Sequence, residues 1–313
     1  MAAVPPQPER RRPRRGSLER PVNGRLYRGT WLLVGLPLLL LAFSVARPAA
    51  LQAPNLPPAF DKDAATALAA DLVSTAPNRV PGTPGATSAA RWFREQLQPY
   101  GIKVRPEAFT TTVPGRGRIR IVNLLAAKAG LSQKTILVLA HRDDSGAGPG
   151  ANDNASGTAA LVELARAYSP SANTGRIHLP YSLLFLSTDG AVYGGLGAAW
   201  FAAHAPEARD VIAVVNLDTI AGPKPPRLEL TADTARSPTP GLVETVRAQL
   251  AAETGGTDPR RASTLRQLVD LGFPFSLYEQ APFVDKGIAA ITLTSAGDRP
   301  RSSSPRCCLD MPS

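Results

Sequence analysis

Cysteine is nearly absent from this chain of 313 residues. Its two Cys form the adjacent pair Cys307-Cys308, so the body of the protein is not stapled by disulfides and has to rely on a buried core. Histidine is almost as scarce, with His141, His178 and His204 only, so no His beyond residue 204 can act as a late metal ligand. Glutamate is missing over a long stretch. Between Glu163 and Glu229 the one Glu is Glu207, beside Pro206 and beyond an expected helix at Ala198 to Ala203. Internal repeats are absent as well, which excludes a solenoid.

A basic domain is also lacking, despite the formal charge of +10. Residues 1–28 carry eight Arg and two Glu, so most of the excess sits in a tail, which argues against a nucleic-acid-binding domain. Trp31 to Ala46 is uncharged and mostly apolar. At about 1.5 Å per residue it spans roughly 24 Å, short of a bilayer core of about 30 Å, a gap that snorkelling Arg28 and Arg47 make up. The expectation is a single membrane anchor through Trp31 to Ala46, with the N-terminus cytoplasmic and the following domain outside. A cleaved signal ending at Ser44-Val45-Ala46, and hence secretion, is the alternative. The expected organisation is a basic tail at 1–30, the anchor or signal at 31–47, a Pro/Ala-rich tether at 48–60, one domain at 61–297 and an irregular tail at 298–313. For that last tail an intermolecular disulfide, a free Cys pair and a truncation or reading-frame change near Pro300 all stay open.

Within the domain, strands are expected at Ile119 to Ala126, Thr135 to Ala140, Tyr181 to Ser187, Val211 to Val215 and Ala289 to Thr294. Helices are expected at Asp61 to Val73, Ser88 to Leu97, Asn154 to Ala167 and Gly241 to Ala252. This alternation predicts an α/β fold with a mixed, largely parallel sheet covered by helices on both faces. Sites in such sheets gather at the carboxyl ends of the strands. There the chain carries His141 and Asp143, then Asp189, then Asn216-Leu217-Asp218, while Asp153 stands where a Gly-rich loop enters a helix. His141, Asp153 and Asp218 can therefore meet. Residues two apart share a face, so Asp143 can orient the His141 ring through its far nitrogen. Two readings follow: one metal ion on three protein donors with an open fourth place, or a metal-free polar cluster satisfied by Arg142 and backbone amides. Gly190 to Gly197 can also be read as an anion-cradling loop, although no Lys-Ser/Thr ending follows. His178 and His204 read as surface or capping side chains.

These residues resemble metallopeptidase family 28, the co-catalytic zinc aminopeptidases and relatives such as glutaminyl cyclases, from about Asp61 to Gly297. The likeness rests on His141-Arg-Asp143, Gly150-Ala-Asn-Asp153-Asn154-Ala-Ser-Gly157, Asn216-Leu-Asp218, and Pro282-Phe283 followed by Gly287-Ile288. The resemblance implies that His141 and Asp218 hold one zinc, that Asp153 bridges to a second, and that the Asp153-Asn154 peptide is cis. The chain departs from the family where a Glu pair is expected, since Ala191 stands at the general-base position and Val192 at a second-metal position. Gln280 replaces the last ligand His. What survives implies at most one zinc, with Asp189 as the one nearby carboxylate that can substitute as base. Three functions follow. The first is a catalytically degenerate domain that binds a peptide or a protein partner. The others are a weak mononuclear-zinc aminopeptidase or hydrolase, and a structural extracytoplasmic domain of a larger membrane protein.

Overall fold

The computed structural model describes residues 24–43, 48–51, 60–169, 179–260 and 262–296. The chain divides into two compact units, Met1–Pro48 and Ala49–Ser313. In the first, helix α1 (Gly24–Phe43) contains Pro37 and exposes Trp31, Leu32, Leu33, Leu36, Leu38 and Leu39. Among the described residues no helix is long and apolar enough to cross a membrane. Of the expected anchor, residues 44–46 lie outside the described residues, as do His178, the C-terminal Cys pair and most of the expected tether.

The second unit is built on one sheet. Its strands are β1 (Val104–Val113), β2 (Gly117–Lys128), β3 (Ser132–His141), β4 (Tyr181–Thr188), β5 (Val211–Leu217), β6 (Arg227–Glu229) and β7 (Ala289–Thr294), in the order β1-β2-β4-β3-β5-β7-β6. The inner strands β4, β3, β5 and β7 run parallel, while β1, β2 and β6 pair antiparallel. The expected mixed sheet is therefore present, with its parallel strands in the centre and antiparallel pairs toward the edges. The reason is local: the turn at 114–116 joins β1 and β2 directly, and so short a link permits only an antiparallel pair.

Helices cover both faces. Along β4, Leu183 and Phe185 join one core with Leu72, Phe93 and Leu161, whereas Leu184 and Leu186 join the other with Phe201 and Phe283. Alternate side chains of one strand thus enter opposite cores, which is why the strand reads as a continuous apolar run. The first core is closed by α2 (Lys62–Thr75), α3 (Pro84–Leu97) and α4 (Gly157–Ala167), the second by α5 (Leu196–His204) and α8 (Ala281–Asp285). The helix starts follow their caps: Asp61 accepts from the amides of Asp63 and Ala64, and Thr83 from that of Ala86, with Pro84 at the first position of α3. Between β6 and α8 lie α6 (Pro240–Glu253) and α7 (Thr264–Gly272), the latter with Leu265, Leu268 and Val269 exposed. Helix α4 begins at Gly157, three residues after the expected Asn154, because residues 151–156 form an irregular turn with a cis Asp153-Asn154 peptide.

Candidate metal centre

The centre is assembled at the carboxyl ends of β3 and β5 and in the turn before α4. His141 ends β3, where the register sets it beside Thr188 of β4. Its Nδ1 lies 3.0 Å from the Asp143 main-chain oxygen. A carbonyl only accepts, so Nδ1 donates and Nε2 is the ring nitrogen that faces outward. That nitrogen is 3.3 Å from Asp153 Oδ1 and 3.7 Å from Asp218 Oδ2. All three atoms lie within 4.8 Å of one another. Three acceptors converge here, and such a cluster calls for a proton or a cation between them. Burial presses the His141 imidazole toward neutrality, yet Asp143, Asp153 and Asp218 together hold its pKa well above the ordinary value.

Local structure explains how Asp153 and Asp218 are held. Asn154, fully buried, donates from Nδ2 to the Leu217 carbonyl (2.9 Å), and its Oδ1 accepts from the amides of Gly157 and Thr219 (3.0 Å each). One side chain therefore ties the Asp153 turn to the end of β5 that presents Asp218. Gly150 adopts φ 58°, and a Cβ there would stand 2.5 Å from Arg79 Nη2 and 2.7 Å from the Asp153 carbonyl, so only glycine lets the turn close. Asp218 is fixed by its amide on the Leu293 carbonyl (3.0 Å) and by the Thr219 hydroxyl on its Oδ1 (2.6 Å). Asp153 is exposed while His141 is buried, so the centre opens to solvent on the Asp153 side.

Asp143 needs a correction. The atom that orients His141 is its carbonyl oxygen; its carboxylate is 3.6 Å from Nδ1 and instead accepts from the amides of Ala191 (3.2 Å) and Val192 (3.0 Å). That bonding also removes the anion-cradle reading of Gly190 to Gly197, since a carboxylate of the chain itself occupies those amides. Arg142 does not neutralise the triad either. It donates to the Ser187 side chain and the Val122 carbonyl and stands 3.9 Å from Asp189. Asp189, offered by the sequence as a substitute base, is accordingly engaged with the Val122 amide (3.1 Å) and Arg142, and burial pushes its carboxyl up to about 6. Glu207 pairs with Arg105, and His204 stacks on Trp200.

At the positions where the resemblance places ligands of a second metal, the chain has Val192 and Gln280. Val192 is apolar, and Gln280 is buried with both ends used: its Nε2 donates to the Thr231 carbonyl (2.7 Å) and to Ser276 Oγ (3.1 Å), and its Oε1 accepts from Thr292 (2.6 Å). One residue escaped the sequence reading. Glu279, 2% exposed, accepts at Oε2 from the Thr188 hydroxyl (2.7 Å), while its buried Oε1 has no hydrogen-bond partner among the described residues. Burial pushes its carboxyl up to about 7, against the pull of His141 and the Thr188 hydrogen bond. The available signal was a lone Glu in the short run Ser276 to Ala281 that joins the α7 segment to α8. An imidazole and two carboxylates with one open side form a donor set that fits zinc.

The model of peptidase family M28 matches residues 121–303. The BOS complex subunit NCLN of Canis lupus familiaris is 31% identical over 115 residues, 36% of this chain, and the match spans 19% of that protein's length. Among solved structures, a Porphyromonas gingivalis glutaminyl cyclase superposes with TM-score 0.61 at 20% identity, over 77% of this chain and 86% of that one. A zinc aminopeptidase from Bacillus subtilis gives TM-score 0.59 at 14% identity, over 80% and 88%. At such identities the structural likeness speaks for the fold.

Proposed function

Since the chain belongs to peptidase family M28, we propose that it carries a single zinc on His141, Asp153 and Asp218 and uses it to hold the end of a short peptide in the strand-end cleft. The observation that carries this reading is the convergence of His141 Nε2, Asp153 Oδ1 and Asp218 Oδ2 within 4.8 Å, a set in which a bound zinc would take the place of the ring proton. Zinc bound there would supply Lewis acidity toward a substrate carbonyl or carboxylate. The chain's own residues do the rest. Asp143 fixes the ring orientation of His141 through its carbonyl, and its carboxylate holds the turn at Ala191 and Val192 in place. Asn154 keeps the two aspartates in register. With Ala191 and Val192 on that turn, the motif contributes no carboxylate to proton transfer or to a second ion.

Equilibrium dialysis of the dipeptide Leu-Gly against the full chain tests this. Retention is expected with zinc, and is expected to vanish after chelation and in His141→Ala. Retention that survives both would favour the second reading, a binding domain without metal chemistry. That reading is favoured by the apolar residues at 191 and 192, and it would fit a subunit role such as the name of the NCLN relative describes.

A further inference from the structure

Among the described carboxylates at these strand ends Glu279 is the one without an ion-pair partner; its Oε1, like Asp189 Oδ1, has no hydrogen-bond partner. Asp143 spends both oxygens on the turn amides. Asp189 faces Arg142, and Asp153 and Asp218 face His141. A buried carboxylate oxygen left without a donor is costly to keep unless something else uses it. Its position is fixed from two sides. Oε2 is held by the hydroxyl of Thr188, the residue paired with His141 across β3 and β4, and the Glu279 stem packs beside Gly195, where an added Cβ would lie 3.6 Å from its Cγ. It therefore enters from the segment before α8, next to the turn that begins at Ala191.

We infer that Glu279 is the proton-transfer group of this cleft, so that the site is a hydrolase of short peptides and aminoacyl amides. This inference rests on the one-zinc reading. As the oxygen of a water molecule bonds the amide carbon, its proton passes to the unpartnered Oε1. When the C–N bond breaks, Oε1 returns that proton to the leaving nitrogen, and Glu279 ends ionised as it began. Gln280, the next residue, is locked by three hydrogen bonds, which keeps the Glu279 backbone from drifting.

The test compares the zinc-loaded full chain with Glu279→Gln, an isostere that can still accept from Thr188. Zinc content is expected to be equal in the two. Hydrolysis of leucine p-nitroanilide is expected to fall by about 10² or more in kcat with KM little changed. A second readout needs no turnover. Calorimetry of leucine hydroxamate binding in two buffers of different ionisation enthalpy counts the protons that the protein accepts, and the count is expected to drop in Glu279→Gln. An unchanged proton count, an unchanged kcat, or a wild-type chain that binds zinc and hydrolyses nothing would overturn the inference and leave the one-zinc reading standing. A wild-type chain that takes up no zinc would sink that reading and the inference with it. Should the Gln variant fail to fold, Thr188→Val removes the hydroxyl that aims the carboxylate. A drop in kcat and proton count would then support the role, and no drop would overturn it.

Discussion

Glu279 leaves a mark on stability that is separable from any catalytic role. Its carboxyl has an ordinary value of 4.5 in the unfolded chain and about 7 in the fold. A raised acid binds its proton more tightly when folded, so the metal-free chain loses stability as pH rises from about 4.5 to about 7. Glu279→Gln has no such proton to lose. Urea midpoints of the two chains, measured after chelation at about pH 5 and about pH 7.5, are expected to shift against the wild type at the higher pH; a gap independent of pH would contradict the assigned burial. That His141, Asp153 and Asp218 meet was legible, since each marks a strand end or a helix entry. For Asp143 the sequence misled, because a two-residue spacing sets the face and not which oxygen does the bonding. Glu279 was invisible because its position depends on a contact with Thr188, 91 residues away.

Among the elements, the link between the Asp153 turn and β5 decides the geometry of the centre. Asn154 makes three hydrogen bonds in a fully buried place. Asn154→Ala strands those partners and is expected to cost about 1 to 3 kcal/mol of stability. Because the same bonds hold Asp153 against Asp218, zinc affinity is expected to fall roughly 10- to 100-fold, as read by competition with a chromogenic chelator. Unchanged affinity would mean that the two aspartates are held independently. The inner strands were readable from their apolar runs. Strand β1 was not, since Arg105, Pro106 and Glu107 break its pattern, and an edge strand tolerates such residues where a central one does not. Strand β6 is three residues long, too short to carry a period, and α7 shows Leu265, Leu268 and Val269 at helical spacing beside polar neighbours.

On the scale of the whole molecule, the metal centre is a property of the folded sheet. His141, Asp153 and Asp218 come from separate segments, and only the parallel pairing of β3 with β5 brings the first and last together. Zinc held by this set would therefore stabilise the native state by mass action, by about 4 kcal/mol when free zinc stands near 1,000 times its Kd. A thermal midpoint that rises with zinc in the wild type, and not in His141→Ala, is the expected result. On the one-zinc reading, Val192 and Gln280 supply no ligand to a second ion. The measurement that bears on this most directly is the metal content of the purified full chain after dialysis against zinc, by elemental analysis and native mass spectrometry. About one zinc per chain, lost in His141→Ala, is the outcome this account requires. Two would mean that a second set of ligands exists, and none would mean that the three converging acceptors share protons and hold no metal.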